Sequence, residues 1–415
     1  MKKPIQFCKK CLYSSEHPLG LTFNEKGICS GCLIHDEKDV LDWNERWRKL
    51  EKLVEPYRSR TSYDCIIPVS GGHDSYFIVD LVKNRLGMNP LLVTYNRYFN
   101  TPLGIRNLAN LRINFDSDIL IQNVNPVSVK NITRTTLRIM GSMYWPILAG
   151  QTVFPVQTAV NYQIPLIIWG AHQGLEQVGM FSHENEIEMT RRYRKDHDLM
   201  GYEADDLLTI FDELGESDIF QYRYPDDQML QRVGVRGIYL GNYVRWDQRV
   251  QNHRSINKLG YLSASSDRTF DTYEHVECFN YMNLHDFIKL LKHGYSRVTD
   301  HATREIRHGR LNRQQGLFWV KKMQCVKPRF LNYFCDWLGV DENALTFILN
   351  QHRNPIFWEE TRPSRWNYND PHRNVIDFKT SLKPEFVANS CFEIDGLKGY
   401  VTIGKGWTPA NVGKG

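Results

Sequence analysis

The residues with the clearest chemistry form one string that follows an apolar segment and precedes a helical pattern: Ser70-Gly71-Gly72-His73-Asp74-Ser75. Gly71 and Gly72 leave the backbone N–H groups uncovered, so phosphate oxygens can approach them closely. A helix that begins directly after the glycines adds the positive end of its dipole. Ser70 and Ser75 can donate hydroxyl hydrogen bonds to the same ligand. The string therefore predicts a phosphate-binding loop.

Asp74 is the unusual member of this loop. A carboxylate beside a polyphosphate is repulsive unless a cation lies between them, so Asp74 predicts Mg²⁺ that bridges this side chain and a leaving pyrophosphate. The loop lacks the Gly-Lys-Ser/Thr of a Walker A motif, so cleavage between the β and γ phosphates is not expected. The alternative is a tight strand-to-helix turn in which Asp74 and Ser75 only cap the helix.

Four of the nine cysteines are arranged as two closely spaced pairs, Cys8-x2-Cys11 and Cys29-x2-Cys32. Two such pairs can close one tetrahedral site, and the small segment that carries them needs a staple in order to fold. We predict a zinc ribbon with structural Zn²⁺, with two disulfides or an iron–sulfur cluster as alternatives. Four thiolates leave no open position for water, so catalysis by this metal is not expected.

The elements that must position these residues follow from the apolar pattern. Short apolar runs at 65–69, 90–95, 118–122 and 164–169 are separated by segments of helix length. Buried strands that alternate with helices predict an α/β fold with a parallel sheet covered on both faces. Beyond about residue 225 the pattern is helical and aromatic, with helices predicted over 285–291 and 299–307.

The predicted organisation has five parts. They are a zinc ribbon over 1–38, a linker helix over 39–60, the phosphate-loop domain over 61–245, a helical substrate- and pyrophosphate-binding region over 246–360, and an unassigned extension over 361–415.

The composition is ordinary for a globular protein, with 41% hydrophobic and 24% charged residues. Lys plus Arg exceeds Asp plus Glu by only 5, which is too weak a bias to indicate nucleic acid as the main partner. No apolar run approaches the roughly eighteen residues that span a bilayer, and the beginning Met1-Lys2-Lys3 is not followed by an apolar signal segment. We therefore expect a cytoplasmic protein without a membrane or nucleic-acid partner.

The loop resembles the PP-loop of the ATP pyrophosphatases, an adenine nucleotide alpha hydrolase-like superfamily that cleaves ATP between the α and β phosphates. Longer strings resemble one branch of it, the N-acetyl sugar amidotransferases of bacterial surface-polysaccharide, lipopolysaccharide O-antigen and nonulosonic-acid pathways. The resemblance covers roughly residues 5–355 and rests, besides the ribbon, on four strings: RYRKDHDLM at 192–200, GVRGIYLGNY at 234–243, RTFDTYE at 268–274 and GYSRVTDHATREIRHGR at 294–310.

This resemblance implies a carbon–nitrogen ligase that uses ATP and ammonia to convert an acetamido group of a nucleotide-activated N-acetyl sugar to an acetamidino group. An amide oxygen leaves too poorly for ammonia to displace it. Transfer of AMP to that oxygen gives an O-adenylyl imidate, from which ammonia can expel AMP. The resemblance also implies that ammonia comes from a separate glutaminase subunit paired with a cyclase-like barrel. The sequence itself supports this, because position 2 is Lys and the five other cysteines lack the flanking glycines of a nucleophile elbow.

Further candidate site residues have less specific signals. Gly170 follows the fourth strand, where a loop near the nucleotide is expected, and Glu176 could orient Mg²⁺ or the substrate amide. Lys258 could clamp pyrophosphate, and Asp300 is a possible functional carboxylate. Arg304 could bind phosphates, as could its neighbours Arg297, Arg307 and Arg310. Each has a structural alternative: an exposed carboxylate for Glu176, a helix-dipole partner for Asp300, a solvated basic face for the arginines. His172 and His183 are interpreted as structural.

Two other functions are compatible with parts of the sequence. A tRNA-modifying thiolase also joins a PP-loop to CxxC ribbons, but it needs a persulfide-carrying cysteine and a strongly basic face, and the small net charge disfavours the latter. A zinc-ribbon adaptor with a degenerate loop is disfavoured by the intact Ser-Gly-Gly-x-Asp-Ser string.

Overall fold

The structure, a computed structural model, describes residues 5–372 and the backbone of three two-residue strands beyond them. At its centre is a five-stranded parallel sheet in the order β3-β2-β1-β4-β5. Its strands are β1 Cys65–Pro68, β2 Pro90–Tyr95, β3 Ile119–Gln122, β4 Leu166–Trp169 and β5 Arg236–Tyr239. The predicted α/β fold with a parallel sheet is confirmed. Strand β5 was not predicted, because this edge strand has only one fully buried residue and so lacks an apolar run.

Neighbouring residues of the central strands face two different hydrophobic cores. Ile66 and Leu91 pack on one face with Val156 and Ala159, whereas Ile67 and its partners on the other face join a second cluster. Because both faces are covered, the strands are apolar at every position rather than at alternate ones. This explains why the sequence showed them as continuous apolar runs.

The order of the strands places a crevice next to the glycine loop. The chain proceeds from β1 to β2 and β3 on one side, and β4 and β5 extend the sheet on the other side. The segments that leave β1 and β4 therefore diverge, and α/β sheets of this kind bind ligands at the carboxyl ends of such strands. The loop from Ser70 to Ser75 leaves β1 at this point.

Helices carry most of the remaining chain. The α-helices of the described residues are α1 Ser30–Glu37, α2 Trp43–Val54, α3 His73–Asp80, α4 Pro102–Asn114, α5 Pro126–Met140, α6 Trp145–Tyr162, α7 Arg191–Tyr193, α8 Ala204–Ile210, α9 Glu216–Ile219, α10 Asp227–Val233, α11 Gln248–Lys258, α12 Asp286–His293, α13 Arg297–Arg307, α14 Arg313–Met323, α15 Leu331–Leu338 and α16 Glu342–Asn350. Short π-helical turns cover Leu81–Arg85, Gly174–Val178, Arg194–Asp198 and Tyr281–His285.

The C-terminal helices share a core with the sheet domain. Leu290 of α12, Trp337 of α15 and Leu349 of α16 belong to the same buried cluster as Ile132 of α5 and Trp145 of α6. This continuity fixes α12 relative to the sheet domain. The remaining described strands are β6 Ser263–Ala264, β7 Trp358–Arg362, β8 Arg365–Tyr368, β9 Cys391–Phe392, β10 Val401–Thr402 and β11 Lys405–Gly406. Strands β7 and β8 form an antiparallel hairpin; most of the extension predicted over 361–415 lies outside the described residues.

The N-terminal ribbon packs directly against the sheet domain. The Ser30 hydroxyl donates to the Val178 carbonyl at 2.6 Å. Gly31 lies so close to the Arg307 guanidinium and the Gln177 carbonyl that a Cβ at this position would clash with both. The approach therefore requires glycine. None of the helices described is long and apolar enough to cross a bilayer.

Candidate active site

A cavity opens where β1 and β4 end, and several distant parts of the chain form its walls. It encloses about 930 Å³, including its open mouth. The glycine loop contributes His73 and Asp74, the segment after β4 contributes Glu176, and α13 faces both. The ribbon adds Tyr13 and His35, so the ribbon is part of the cavity wall. Sequence reasoning assigned it no such role.

The backbone of the loop is shaped by its glycines and serines. Gly71 has φ +71°, and a Cβ there would lie 2.9 Å from the Leu108 Cβ, so both strain and space exclude other residues. Ser70 Oγ accepts from the Gly72 N–H at 3.1 Å, and Ser75 Oγ accepts from the Ser70 N–H at 3.1 Å. Gly72, before α3, provides no side-chain cap. The first turn of α3 is thus left without a capping side chain, as an anion-binding helix end requires.

Asp74 has an oxygen that nothing in the described residues satisfies. Its Oδ1 is buried without a hydrogen-bond partner, although His73 Nε2 lies 3.3 Å away, and 32% of the side chain is exposed toward the cavity. Desolvation raises the pKa of Asp74 to about 6, and the nearby Glu274 carboxylate acts in the same direction. A carboxylate oxygen that is shielded from water and accepts no hydrogen bond fits a cation ligand, so Asp74 would hold Mg²⁺ if the ion binds here.

Other cavity side chains also carry unsatisfied buried atoms. They are His73 Nε2, Glu176 Oε1, Trp246 Nε1, His275 Nδ1, Arg297 Nε and Thr303 Oγ1. Because nearly all buried polar atoms in native proteins have a partner, such a concentration around one cavity indicates a polar ligand.

Glu176 is positioned by a lysine that sequence reasoning missed. Lys38, at the end of α1, donates from Nζ to Glu176 Oε2 at 2.6 Å and to the Trp246 carbonyl at 3.1 Å. Only 1% of the Lys38 side chain is exposed. One Glu176 oxygen is therefore fixed by the ion pair, and the other remains free. No sequence motif marked Lys38, because its partner lies 138 residues away.

Asp300 is an anchored carboxylate between the ribbon and α12. Tyr13 donates from its hydroxyl to Oδ1 at 2.8 Å, and Lys289 forms an ion pair with Oδ2. Burial alone would raise the pKa of Asp300, but the charges of Lys289 and Arg297 hold that pKa below its usual range. The group is ionised and fully engaged, so it positions its neighbours.

Arg304 lies in the cavity wall inside a network of carboxylates. It pairs with Asp271 at 2.6 Å, with Glu305 at 3.0 Å and also with Glu274. The Tyr273 hydroxyl lies 3.0 Å from Nη2. The predicted alternative of a solvated basic face is wrong for this residue, because its charge is neutralised inside the protein. Its predicted role in phosphate binding would require one of these ion pairs to break.

The three neighbouring arginines have different surroundings. Arg307 donates to Cys32 Sγ at 3.4 Å, and its Nη1 donates to the Glu176 carbonyl at 2.9 Å. Arg310 pairs with Glu305 and with Asp247. The Arg297 guanidinium lies 3.4 Å from Glu274 and 4.5 Å from the centre of the Tyr281 ring, and its Nε has no hydrogen-bond partner among the described residues. Of the four, Arg297 is the arginine best placed to bind a ligand.

Lys258 does not reach the cavity. It is the last, exposed residue of α11, whereas Gln248 at the first turn of the same helix lines the cavity. Ten residues of α-helix separate the two by about 15 Å. The assignment of Lys258 as a pyrophosphate clamp is therefore not supported by its position.

Gly170 lies beside the cavity, and Ala171 after it forms the lining. The Gly170 carbonyl accepts from the Gly241 N–H at 3.1 Å, and a Cβ would lie 3.0 Å from Ile78 Cδ1. His172 packs 4.2 Å from the Tyr193 ring. Like His183, which contacts Glu37, it does not line the cavity.

The four ribbon cysteines form one fully buried cluster whose sulfurs lie within 4.8 Å of one another. The Cys8–Cys32 and Cys11–Cys29 sulfur distances are 3.9 and 3.6 Å. A disulfide requires about 2.0 Å. Four thiolates at about 2.3 Å from a zinc ion lie about 3.8 Å apart. The cluster therefore has the dimensions of a closed tetrahedral metal site. A second close group, Asp271, Glu274 and His301, already has Arg304 as its counter-charge.

Comparisons with known proteins find similarity in parts of the chain. Residues 267–371 match the family described as LPS biosynthesis protein WbpG-like, C-terminal domain. A stretch of 121 residues, 28% of this chain, is 27% identical to an uncharacterized protein of Methanocaldococcus jannaschii and covers 42% of that protein, less than half of its length. A structure of NMN synthetase from Francisella tularensis aligns with 55% of this chain and 99% of its own, at 13% identity and a TM-score of 0.26, which is too low to carry a conclusion.

Proposed function

We propose that this chain is an ATP-dependent amidotransferase that converts the acetamido group of a nucleotide-activated N-acetyl sugar to an acetamidino group and releases AMP and pyrophosphate. One observation carries the proposal. The Asp74 carboxylate, at the glycine loop, lines the same cavity as α13, which lies inside the region similar to lipopolysaccharide biosynthesis proteins. A nucleotide-binding loop and a sugar-pathway region therefore share one site.

The reaction has two steps. The amide oxygen of the sugar attacks the α-phosphorus of ATP, and the bond to the β-phosphate oxygen breaks, so pyrophosphate leaves and an O-adenylyl imidate forms. Ammonia then adds to the imidate carbon, the bond from that carbon to oxygen breaks, and AMP leaves with the oxygen. Loss of a proton from nitrogen gives the acetamidino product.

The residues of the chain have distinct roles in this scheme. The N–H groups at the start of α3, with those of the loop that do not already donate to Ser70 Oγ or Ser75 Oγ, bind the departing pyrophosphate. Asp74 would hold Mg²⁺, which neutralises phosphate charge when it is bound. Glu176, with one oxygen fixed by Lys38, directs its free oxygen at the ligand, and Arg297 adds a positive charge from α13. The chain mainly positions reactants and stabilises charge.

The cysteine cluster has a structural role in this proposal. Zn²⁺ held by Cys8, Cys11, Cys29 and Cys32 stabilises the ribbon, which in turn places Tyr13 and Lys38 at the cavity. The alternative of a thiolase gains no support from the cavity. None of the lining residues is a cysteine, and burial raises the pKa of Cys65, Cys278 and Cys335, the buried cysteines of residues 5–372 outside the ribbon.

The decisive experiment incubates the protein with Mg-ATP, ammonium and a panel of UDP- and CMP-linked N-acetyl sugars. We expect AMP to form only with one class of sugar, together with a product whose mass shows replacement of O by NH. Formation of ADP, AMP release that needs no sugar, or a requirement for tRNA would contradict the proposal.

A further inference from the structure

A second cavity adjoins the first one and has no role in the scheme so far. It encloses about 950 Å³, including its opening. Four residues line both cavities: Gln173, Gln177, Arg297 and Asp300. The two cavities therefore adjoin at a shared wall formed by these side chains.

The junction carries two amide side chains that are free to bind a ligand. Within the described residues, no hydrogen bond involves the Gln173 or Gln177 side chain. A primary amide offers both a donor and an acceptor, which matches the N–H and C=O of an acetamido group.

The second cavity has an excess of positive charge. Lys292 lines the second cavity but not the first, and its Nζ donates to the Met140 carbonyl at 2.6 Å. No carboxylate of the described chain lies within ion-pair distance of this ammonium, and burial lowers the pKa of Lys292. The two acidic lining residues do not balance it. Asp300 is paired with Lys289, and burial raises the pKa of Asp198 to about 7.

A ribbon histidine adds an unsatisfied polar atom to the same cavity. His17 is 5% exposed, and its Nε2 has no hydrogen-bond partner. Burial lowers the pKa of His17 to about 3, and its Nδ1 accepts from the Leu19 N–H at 3.3 Å, so the neutral ring carries its proton on Nε2, which can donate to a ligand. A half-buried ammonium without a carboxylate partner, together with an unpaired ring nitrogen, indicates an anionic ligand that also carries hydrogen-bonding groups.

We propose that the second cavity is the acceptor site, where Lys292 binds the phosphate of an N-acetylated sugar phosphate and the acetamido group reaches Gln173 and Gln177 at the junction. The proposal rests on the function proposed above and gives that function a second, separate binding site. In this arrangement the acetamido oxygen meets the α-phosphate of ATP at the shared wall. No movement of the sugar between cavities is then needed.

The test uses N-acetylglucosamine 1-phosphate, which carries both recognised groups but no base that could bind in place of adenine. The first cavity is filled with the α,β-methylene analogue of ATP and Mg²⁺, and affinity is measured by calorimetry. We expect Lys292→Gln to weaken binding of the sugar phosphate by about tenfold or more, because a charge-assisted hydrogen bond is lost. Affinity for the ATP analogue should not change.

Lys83→Gln is the matched control, since Lys83 also donates to a backbone carbonyl but lines neither cavity. Inorganic phosphate and N-acetylglucosamine are the comparison ligands, and each should bind less tightly than the sugar phosphate. Affinity of Lys292→Gln within about twofold of wild type, or no binding to the analogue-filled wild type, would overturn the proposal.

Hydrogen exchange on the wild-type protein provides a measurement that does not depend on the folding of a variant. In the analogue-filled protein, the sugar phosphate should slow exchange in α12 and around Asp198. Protection confined to α3 would overturn the second site. Because none of these measurements involves turnover, their outcome is separate from that of the AMP-release assay, which tests the proposed function.

Discussion

At the scale of single residues, the Asp74 carboxylate lies in an environment that disfavours its ionised form. Its oxygen is enclosed without a partner, and desolvation raises the pKa to about 6. A cation bound beside it would remove that penalty.

Asp74→Asn should leave the fold intact and lower sugar-dependent AMP release by at least about 100-fold, because the neutral amide binds a cation poorly. Wild-type AMP release should also fall as the pH is lowered through about 6, where a proton competes for the carboxylate. Chromatography of the nucleotides measures both. Asp212→Asn, at an exposed position outside the cavity, is the control. Activity of Asp74→Asn within a few-fold of wild type would exclude Asp74 from the site.

The same variant should be more stable than the wild type at neutral and higher pH when no nucleotide is bound. The native pKa of Asp74, about 6, lies above its ordinary value of 3.8, so ionisation costs folding free energy. The advantage of Asp74→Asn should therefore shrink as the pH falls from about 6 toward about 4, where both side chains are neutral. Urea midpoints across this range measure it. A difference that does not depend on pH would contradict the explanation.

Arg304→Met tests whether Arg304 is primarily a counter-charge. The change leaves Asp271, Glu274 and Glu305 in a buried site without this partner, so we expect a loss of about 3–5 kcal/mol of unfolding free energy. Arg223→Met is the matched control, because Arg223 also pairs with two carboxylates but is 38% exposed. If both substitutions lower the unfolding temperature by a similar small amount, the ion pairs of Arg304 contribute little to the free energy of unfolding.

At the scale of elements, the ribbon and the sheet domain depend on each other at the cavity. Tyr13 reaches Asp300, Lys38 reaches Glu176, and Arg307 of α13 contacts the cysteine sulfurs. The ribbon is therefore a wall of the site, and we predict that a metal bound by its cysteines affects activity without taking part in the proposed chemistry.

We predict one zinc per chain, and Cys29→Ser should lower metal content, melting temperature and AMP release together. Cys325→Ser, at an exposed cysteine far from the cluster in sequence, should change none of these. Inductively coupled plasma mass spectrometry measures the metal content, thermal unfolding gives the melting temperature, and the AMP assay gives the activity. Iron in freshly purified protein, or full activity without metal, would contradict the assignment.

At the scale of the whole molecule, the source of ammonia is the main open requirement of the proposed reaction. The free cysteines of residues 5–372 lie outside the cavity, and burial raises the pKa of Cys65, Cys278 and Cys335, the buried cysteines outside the ribbon. None of these three has the lowered thiol pKa of a glutaminase nucleophile.

We therefore expect the purified chain to use ammonium salts, with activity rising as pH increases because only the unprotonated form is a nucleophile. Glutamine alone should not support the reaction, and a separate glutaminase subunit should restore it. A glutamate assay measures this outcome directly. Release of glutamate from glutamine by the chain without a partner would contradict the prediction.

The sequence by itself was sufficient for features that depend on neighbouring residues. Three predicted features are local patterns in the sequence. The turn conformation of the phosphate loop requires its glycines, and a metal site requires closely spaced cysteine pairs. A strand that is buried on both faces requires a short apolar run. The parallel sheet and the clustering of the four cysteines agree with those predictions. Edge strand β5 was missed because it has little apolar character to display.

The tertiary structure alone decided which side chains meet at the site. Tyr13 and Asp300 are 287 residues apart, and Lys38 and Glu176 are 138 residues apart, so no local pattern could pair them. The surroundings of two other residues were equally hidden from the sequence. Arg304 pairs with Asp271 and Glu274, which lie on a separate segment of the chain. Lys258 lies away from the cavity because it is at the far end of α11. Charge and residue type are properties of the sequence. Whether a charge is free, paired or desolvated depends on the packing that brings distant segments together.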